Sequence, residues 1–476
     1  MERIGGFFLA ISHETELIEG LKAALDEAKR KKHKILFSEV VEVDNISPLS
    51  FYQVGREQYI GERFFWQDPN KDIIIAGLGK VEKIQVSAAD SRFMEVEASW
   101  TALIENAVKT GILEKEGTGP LLFGGFSFDH NKSNSLLWDQ FGDNLFYIPA
   151  FMLSIVKGQA YLTTNLICSP EDHVQLFIKM INERDTLLSG SVNFGNGHHE
   201  IIEQREIAPE HWKYTVANTI EEIKGTDLKK LVLAREMRLI FNHSVLSEQV
   251  LQKLAVEQQT SFVFSLETGS DCFIGASPER LIKKTGNEMF STCLAGSIAR
   301  GKTKQEDDRL GYELLHDQKN LVEHQYVVSM IGEAMKSVCS SVNIPKAPAL
   351  MKNRHIQHLY TPVKGMCNRF VSIFEMIEKL HPTPALGGLP KEKAVRRIRE
   401  VEQLERGFYS GPIGWTDSYG NGEFAVAIRS ALLQGKEASL FAGCGIVEDS
   451  TPEGEYNETS IKFKPMLSAL GGNLHE

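Results

Sequence analysis

The spacing of apolar and polar positions divides the chain into helical and extended stretches. Leu17, Ile18, Leu21, Ala24, Leu25 and Ala28 recur at helical spacing within residues 15–32, with charged residues between them, which predicts a surface helix with one buried stripe. Apolar runs at KILFSEVVEV (34–43), DIIIAGLGKV (72–81), PLLFGGFSF (120–128) and QAYLTTN (159–165) read as strands, so the first half mixes helix and strand. Residues 189–199, SGSVNFGNGHH, are small, Gly-rich and polar, the composition of a flexible connection, with His198 and His199 exposed. Beyond them, Trp212, Val216, Ile220 and Ile223 mark a helix, and KLVLAR (230–235) an apolar strand. FVFSLE (262–267) and DCFIGA (271–276) read as a strand pair around a turn. A long helical stretch at 305–338, a helix near 391–405, strands at 423–433 and 438–446, and a last helix from Pro452 complete the pattern, with no internal repeat.

Composition narrows the class. The 476 residues are 42% hydrophobic and 24% charged, an ordinary globular profile with room for a full core. No apolar run approaches the roughly 20 residues of a membrane span. The amino terminus turns acidic too early for a signal peptide, so a cytoplasmic protein is expected. The six cysteines are scattered without a CxxC pair, and read as buried thiols rather than as a disulfide frame or metal site. A net charge of −11 without a dense basic stretch argues against nucleic acid, and an anionic small molecule would need cations gathered locally.

Several polar residues stand where their neighbours make them costly. Lys230 opens an apolar strand with Val232 and Ala234 on its face and Lys229 on the other, so one of the two lysines faces the covered side. A desolvated amine gives up its proton more readily, as a lysine base requires, although a lysine snorkelling at a strand edge fits the same spacing. Glu279, in GASPERL (275–281), follows Pro278 at a strand end, where a carboxylate either enters a cleft or merely opens a helix. Glu323, in KNLVEHQYVV (319–328), lies in an apolar helical run where burial would call for a cation.

In STPEGEYNETSIK (450–462), Thr451 as N-cap and Pro452 at the first helical position put Glu455 and Glu458 on one face, with Lys462 a turn further. Carboxylates so spaced can share a hard cation such as Mg²⁺, or only favour the helix dipole. Gly443 and Gly445, in FAGCGIV (441–447), let backbone N–H groups approach an anion closely. Arg429 interrupts the apolar strand AVAIRSALL (425–433), either as a carboxylate clamp or as partner to a glutamate. His358, in HIQHLYTPV (355–363), is a site residue or a satisfied core histidine, and spacing does not separate the two.

Taken in order, KLVLAR, GASPERL, CLAGSIARG (293–301), KNLVEHQ, HIQHLYTP, HPTPALGG (381–388), ERGFYSGPIGW (405–415), AVAIRSALL and FAGCGIVEDSTPEGEYNETSIK resemble the chorismate-utilising enzyme family. The resemblance is dense over about 210–470 and looser at LLFGGFSFD (121–129) and FYIPAFML (146–153). It implies an α+β fold: a single large chorismate-binding, anthranilate synthase component I-like domain, with two packed β-sheets, outer helices and the site in the cleft between its halves. Residues 1–200 would form a variable N-terminal half and 201–476 the catalytic half, packed as one unit, which makes 189–199 a loop.

Within the family the chain is most similar to isochorismate synthases, with a length that matches the menaquinone-pathway type. The resemblance implies Mg²⁺ held by Glu323 and Glu458, with Glu455 close by through water, gripping the ring carboxylate of chorismate. Arg429 with the backbone near Gly443 and Gly445 would hold the pyruvyl carboxylate, Lys462 would assist, and His358, Ala385 and Gly296 would line the substrate. Lys230 matches a water-activating base and Glu279 the acid that protonates the departing hydroxyl, so the expected reaction is water attack at carbon 2 with loss of the carbon 4 hydroxyl. That chemistry requires a neutral Lys230 and a protonated Glu279.

Ala295 stands where lysine-type aminodeoxychorismate synthases carry a nucleophilic lysine, which disfavours a covalent route. HPTPALGG replaces the HPAGTLSG of anthranilate synthases, and Lys230 is the base those enzymes usually lack, so water is expected rather than ammonia, with no obligate amidotransferase subunit. Salicylate synthases share base and acid and go on to eliminate pyruvate, the separating residues lying near Ala385, Leu386 and Phe408. A siderophore pathway draws on the same product. A catalytically silent homologue is disfavoured because lysine, glutamates and arginine are intact together.

Overall fold

The apolar runs pair into two large sheets, in a computed structural model that describes residues 2–44, 46–87, 91–132, 136–190, 199–353, 356–367 and 371–472. Among the described residues, the larger sheet has thirteen strands and the smaller ten. In the larger sheet Lys230–Phe241 lies antiparallel to Glu437–Ile446, with Val232 opposite Gly445 and Ala234 opposite Gly443. Ser430–Gln434, Asp271–Ser277 and Phe262–Thr268 follow, and the sheet then continues into the first half of the chain through Arg63–Gln67 and Ile73–Leu78. The smaller sheet sets Glu288–Ala299, Arg280–Thr285, Gly422–Val426, Pro412–Asp417 and Leu121–Phe126 side by side. Both sheets thus draw strands from either side of residue 200, so the two halves form a single domain.

Helices cover these sheets with the stripes that their sequences supply. Trp212, Val216, Ile220 and Ile223 are buried on Pro209–Gly225 as the spacing requires, and Leu17, Leu21, Ala24, Leu25 and Ala28 on the first helix, which reaches back to Glu2. An aromatic-rich core of Phe64, Trp66, Phe123, Trp138, Phe273 and Trp415 includes Phe408, whose ring stacks with Trp138. Arg63, 1% exposed, braces strands from the two halves. Its Nε and Nη2 donate to the two carboxylate oxygens of Glu267 at 2.8 and 2.7 Å, and its Nη1 to the Tyr52 carbonyl at 2.9 Å.

Four expectations need correction. The helical stretch at 305–338 is two helices, Lys304–His316 and Gln318–Lys336, because the Asp317 side chain accepts the Asn320 N–H at 2.8 Å and starts a new helix. The apolar run at 423–433 is two strands, Gly422–Val426 and Ser430–Gln434, in different sheets. Both are buried on two faces, so their sequence carries no alternation to mark the break. Cys339 is half-buried and stands opposite Cys367 on antiparallel strands, a register that chain spacing does not reveal. The four other cysteines are buried. His199 is half-buried against Phe241, while residues 191–198, with His198, lie outside the described residues, as does His355.

The two sheets meet where the chain passes between them. It leaves the larger sheet at Ser277 and enters the smaller at Arg280; it returns between Val426 and Ser430. The two crossings are bonded to each other, Val426 N–H donating to the Glu279 carbonyl and Ala276 N–H to the Arg429 carbonyl, each at 3.0 Å. Arg429 sits at φ 53°, a left-handed conformation that non-glycine residues seldom hold unless the surroundings impose it.

Candidate active site

A cavity of about 1070 Å³, its open mouth included, lies at these crossings, and all twelve site residues singled out from the sequence line it. Phe408 does not, being fully buried in the aromatic core, whereas Ala385 and Leu386 do. Of the two adjacent lysines, Lys229 is exposed and Lys230 is buried, as strand alternation requires. The Lys230 ammonium donates to Glu323 Oε1 at 2.5 Å.

Gly445 makes room for that arrangement. A Cβ there would lie 2.4 Å from Lys230 Cε and 3.0 Å from its Nζ, so no side chain fits beside the extended lysine. Gly445→Ala is expected to displace the ammonium and lower kcat roughly 10- to 100-fold, the scale of a misplaced reacting group. Steady-state kinetics check it, and an unchanged kcat would remove the fit of Lys230 as a requirement. The Gly443 carbonyl accepts from Lys462 Nζ at 2.8 Å, and since the N–H and C=O of a strand residue point the same way, its N–H faces the same side.

Glu279 and Arg429 enter from the two crossings. Burial pushes the Glu279 carboxyl up to about 7, against the pull of Arg429, Lys230 and Lys462. Glu279 stands just past the end of the strand Asp271–Ser277 and lines the cleft, and a strand rather than a helix follows at Arg280. The Arg429 guanidinium is buried with its charge opposed by desolvation and supported by Tyr409, Glu458 and Glu279. His358 is neutral, burial and the cations Arg429 and Lys462 driving it down to about 3. Its Nδ1 meets Ser297 Oγ at 2.7 Å and its Nε2 is buried without a hydrogen-bond partner.

The acidic edge comes from Pro452–Ala469, whose cap is the Thr451 hydroxyl accepting the Gly454 N–H at 3.2 Å. Glu458 pairs with Lys462 one turn on at 2.6 Å. Burial works against both charges, but Lys462 holds Glu458 below the usual carboxylate range, and Glu458 holds Lys462 above its ordinary value. Glu455 is pushed up by burial and then by Glu458. Its Oε1 accepts from Ser450 at 2.6 Å, and its Oε2 is buried without a partner. These are hard oxygen donors of the kind that suit Mg²⁺, and the orphaned oxygen is one a cation would satisfy. Among the described residues, no three His, Cys, Asp or Glu side chains are already gathered as a metal cluster, since Glu323 and Glu458 each turn to a lysine.

Other lining residues were not singled out from the sequence: Lys319, Asn320, Ser297, Tyr409 and Ser410. Ser297 reaches the cavity because the strand slips register between Leu294 and Ser297, with Gly296 at φ 81°, a bulge that CLAGS announces only through its glycine. The Tyr409 hydroxyl would lie 3.1 Å from a Cβ at position 443, so that glycine admits the phenol. A tyrosine after an apolar aromatic and before Ser-Gly was the available cue. His324 stays in the wall, its Nδ1 at 3.0 Å from the Ala295 carbonyl and its Nε2 at 2.7 Å from Thr361 Oγ1.

Comparison with known proteins places the whole chain. The chain is 45% identical over 453 residues to the isochorismate synthase MenF of Bacillus subtilis, covering 94% of this chain and 96% of that protein. It is 32% identical to the salicylate biosynthesis isochorismate synthase of Pseudomonas aeruginosa, with 94% of each covered. The solved structure of MenF, the menaquinone-specific isochorismate synthase of Escherichia coli, shares the fold with a TM-score of 0.76 at 23% identity, over 95% of this chain and 100% of that one. Anthranilate synthase component I of Streptococcus pneumoniae shares it with a TM-score of 0.64 at 20% identity, over 90% and 92%. Among the described residues, no helix is long and apolar enough to cross a membrane. With residues 23–471 matching the family described as chorismate binding enzyme, the chain belongs to the chorismate-binding enzymes.

Proposed function

We propose that this chain is an isochorismate synthase that converts chorismate reversibly into its isomer, adding water at ring carbon 2 and losing the hydroxyl at carbon 4. The observation that carries this reading is the presence in one cavity of a buried lysine and a carboxyl pushed up to about 7, a base and an acid supplied by different elements. Ala295 leaves that cavity without a lysine at the nucleophile's position, and the full-length likeness to the Bacillus subtilis enzyme supports the same activity.

Arg429, with the N–H groups of Gly443 and Gly445, would receive one carboxylate of the dianion, and the Lys462 side of the cavity would face the other. Glu279, carrying its proton, would give it to the departing hydroxyl, and Lys230, as the neutral amine with its own proton already given up and Glu323 engaged elsewhere, would take one from water. Glu323 and Glu458, with Glu455 beside them, would hold Mg²⁺, which supplies charge for the ring carboxylate when bound. His358 stays neutral throughout and presents Nε2 to the substrate without adding charge. The same reading carries menaquinone biosynthesis as the use of the product, a cytoplasmic location and no obligate amidotransferase subunit.

The test is mass-resolved chromatography of chorismate incubated with the protein and Mg²⁺, with and without ammonium and with EDTA. A product isomeric with chorismate, indifferent to ammonium, abolished by EDTA and restored by added Mg²⁺, is expected. Salicylate plus pyruvate would make the enzyme a salicylate synthase, an amino product would make ammonia the nucleophile, and full activity in EDTA would remove the metal.

A further inference from the structure

The hydrogen bonds beneath the cavity converge on one guanidinium that the proposed chemistry does not use. Arg406 is 3% exposed and lies over the Phe128 ring at 4.2 Å. Its Nε donates to Glu402 Oε1 at 2.7 Å and its Nη2 to Glu402 Oε2 at 2.8 Å. The remaining donors go to two carbonyls, Nη2 to Val232 at 2.8 Å and Nη1 to Leu386 at 3.0 Å. Glu402 Oε2 in turn accepts the Ala234 N–H at 2.9 Å.

Val232 and Leu386 line the cavity from separate elements, the strand that begins at Lys230 and the segment HPTPALGG. That segment and the residue after it are strung along the strand, with Val232 N–H donating to the Gly387 carbonyl at 2.9 Å and Lys229 N–H to the Leu389 carbonyl at 2.8 Å. Arg406 ties the same two elements from below, and only a planar fork with several fixed donors spans a carboxylate and two carbonyls at once.

We infer that Arg406, with Glu402 as its counter-charge, is a positioning residue: it sets the spacing between the Lys230 strand and the Leu386 wall and so aligns the base against the bound ring. This rests on the proposed role of Lys230. A lysine at 406 keeps the charge beside Glu402, but its three donors radiate from one nitrogen, so it does not reproduce the bidentate pair and both carbonyl bonds at their present separation. Arg63 supplies a control, because it is equally buried, makes the same bidentate pair and holds a carbonyl, yet bonds to no residue that lines the cavity.

The test compares Arg406→Lys with Arg63→Lys, measuring thermal midpoints and then kcat and KM for chorismate well below them. For Arg406→Lys, kcat is expected to fall roughly 10- to 100-fold while KM stays within about threefold, the signature of misaligned groups rather than lost binding. Arg63→Lys should lose similar stability with kcat within about twofold of wild type. A wild-type kcat in Arg406→Lys, or an equal kcat loss in both variants, would overturn the inference. Should Arg406→Lys not fold, Glu402→Gln, which keeps shape and an acceptor, is expected to show the same split, and an unchanged kcat there would overturn it as well. The rates are read on whatever product wild type forms from chorismate, so the identity of that product tests the proposed function separately.

Discussion

Lys230→Gln should leave a folded protein that binds chorismate and turns it over roughly 10³-fold more slowly, within the range that a general base contributes. Glutamine reaches toward Glu323 and keeps a hydrogen bond in place of the ammonium contact at 2.5 Å, so the cavity wall retains its shape. It cannot accept a proton from water at any working pH. Glu323 is 21% exposed at its side chain, so losing its counter-charge is tolerable for the fold. Single-turnover rates and substrate titration by quenching of intrinsic fluorescence separate chemistry from binding. A rate near wild type would end the assignment of Lys230 as base, whatever the product.

Glu279→Gln is expected to be nearly inactive and, above neutral pH, more stable than wild type. The activity loss is again roughly 10²- to 10⁴-fold, because the amide cannot protonate a leaving hydroxyl. The stability gain follows from linkage. The carboxyl ionises at about 4.5 when unfolded and at about 7 in the fold. Between those values the folded protein binds more protons than the unfolded one, so stability falls as pH rises, and the full penalty is present above pH 7. The interval corresponds to at most about 3 kcal/mol, which glutamine, neutral throughout, does not incur. Urea unfolding at pH 8 should therefore favour the variant, and at pH 4.5 or below the two should converge. For wild type, kcat/KM should decline as pH rises through about 7 with loss of the acid form. Equal stability at both pH values would mean that Glu279 is not held protonated by its surroundings.

Local features were legible where one residue fixes one structure. The Thr451 cap, the buried stripe of Trp212 to Ile223 and the opposite facing of Lys229 and Lys230 follow from short-range spacing, while which lysine turns inward does not. The twelve site residues could be assembled because quoted motifs, rather than patterning, tied distant segments together. What remained hidden depends on the third dimension. AVAIRSALL looks like one strand since both of its parts are buried on two faces, and only a positive φ at Arg429 divides them. Asp317 ends one helix and caps the next through a single side-chain bond, which a continuous charged-apolar pattern masks. The resemblance put Phe408 near the residues that separate salicylate synthases, yet its ring lies in the core and it is the next residue, Tyr409, that reaches the cavity.

The paired crossings also bear on how the enzyme comes into being. Glu279 and Arg429 each stand on a passage between the sheets, and the passages hold one another through the Val426 and Ala276 amides although they are far apart along the chain. Such contacts carry a high loop-closure cost and form late compared with hairpins such as Phe262–Ser277. An intermediate with both sheets formed but not yet docked would show nearly native circular dichroism and no acid beside its arginine. Catalytic competence is thus a property of the junction, acquired in the same event that makes two sheets into one molecule.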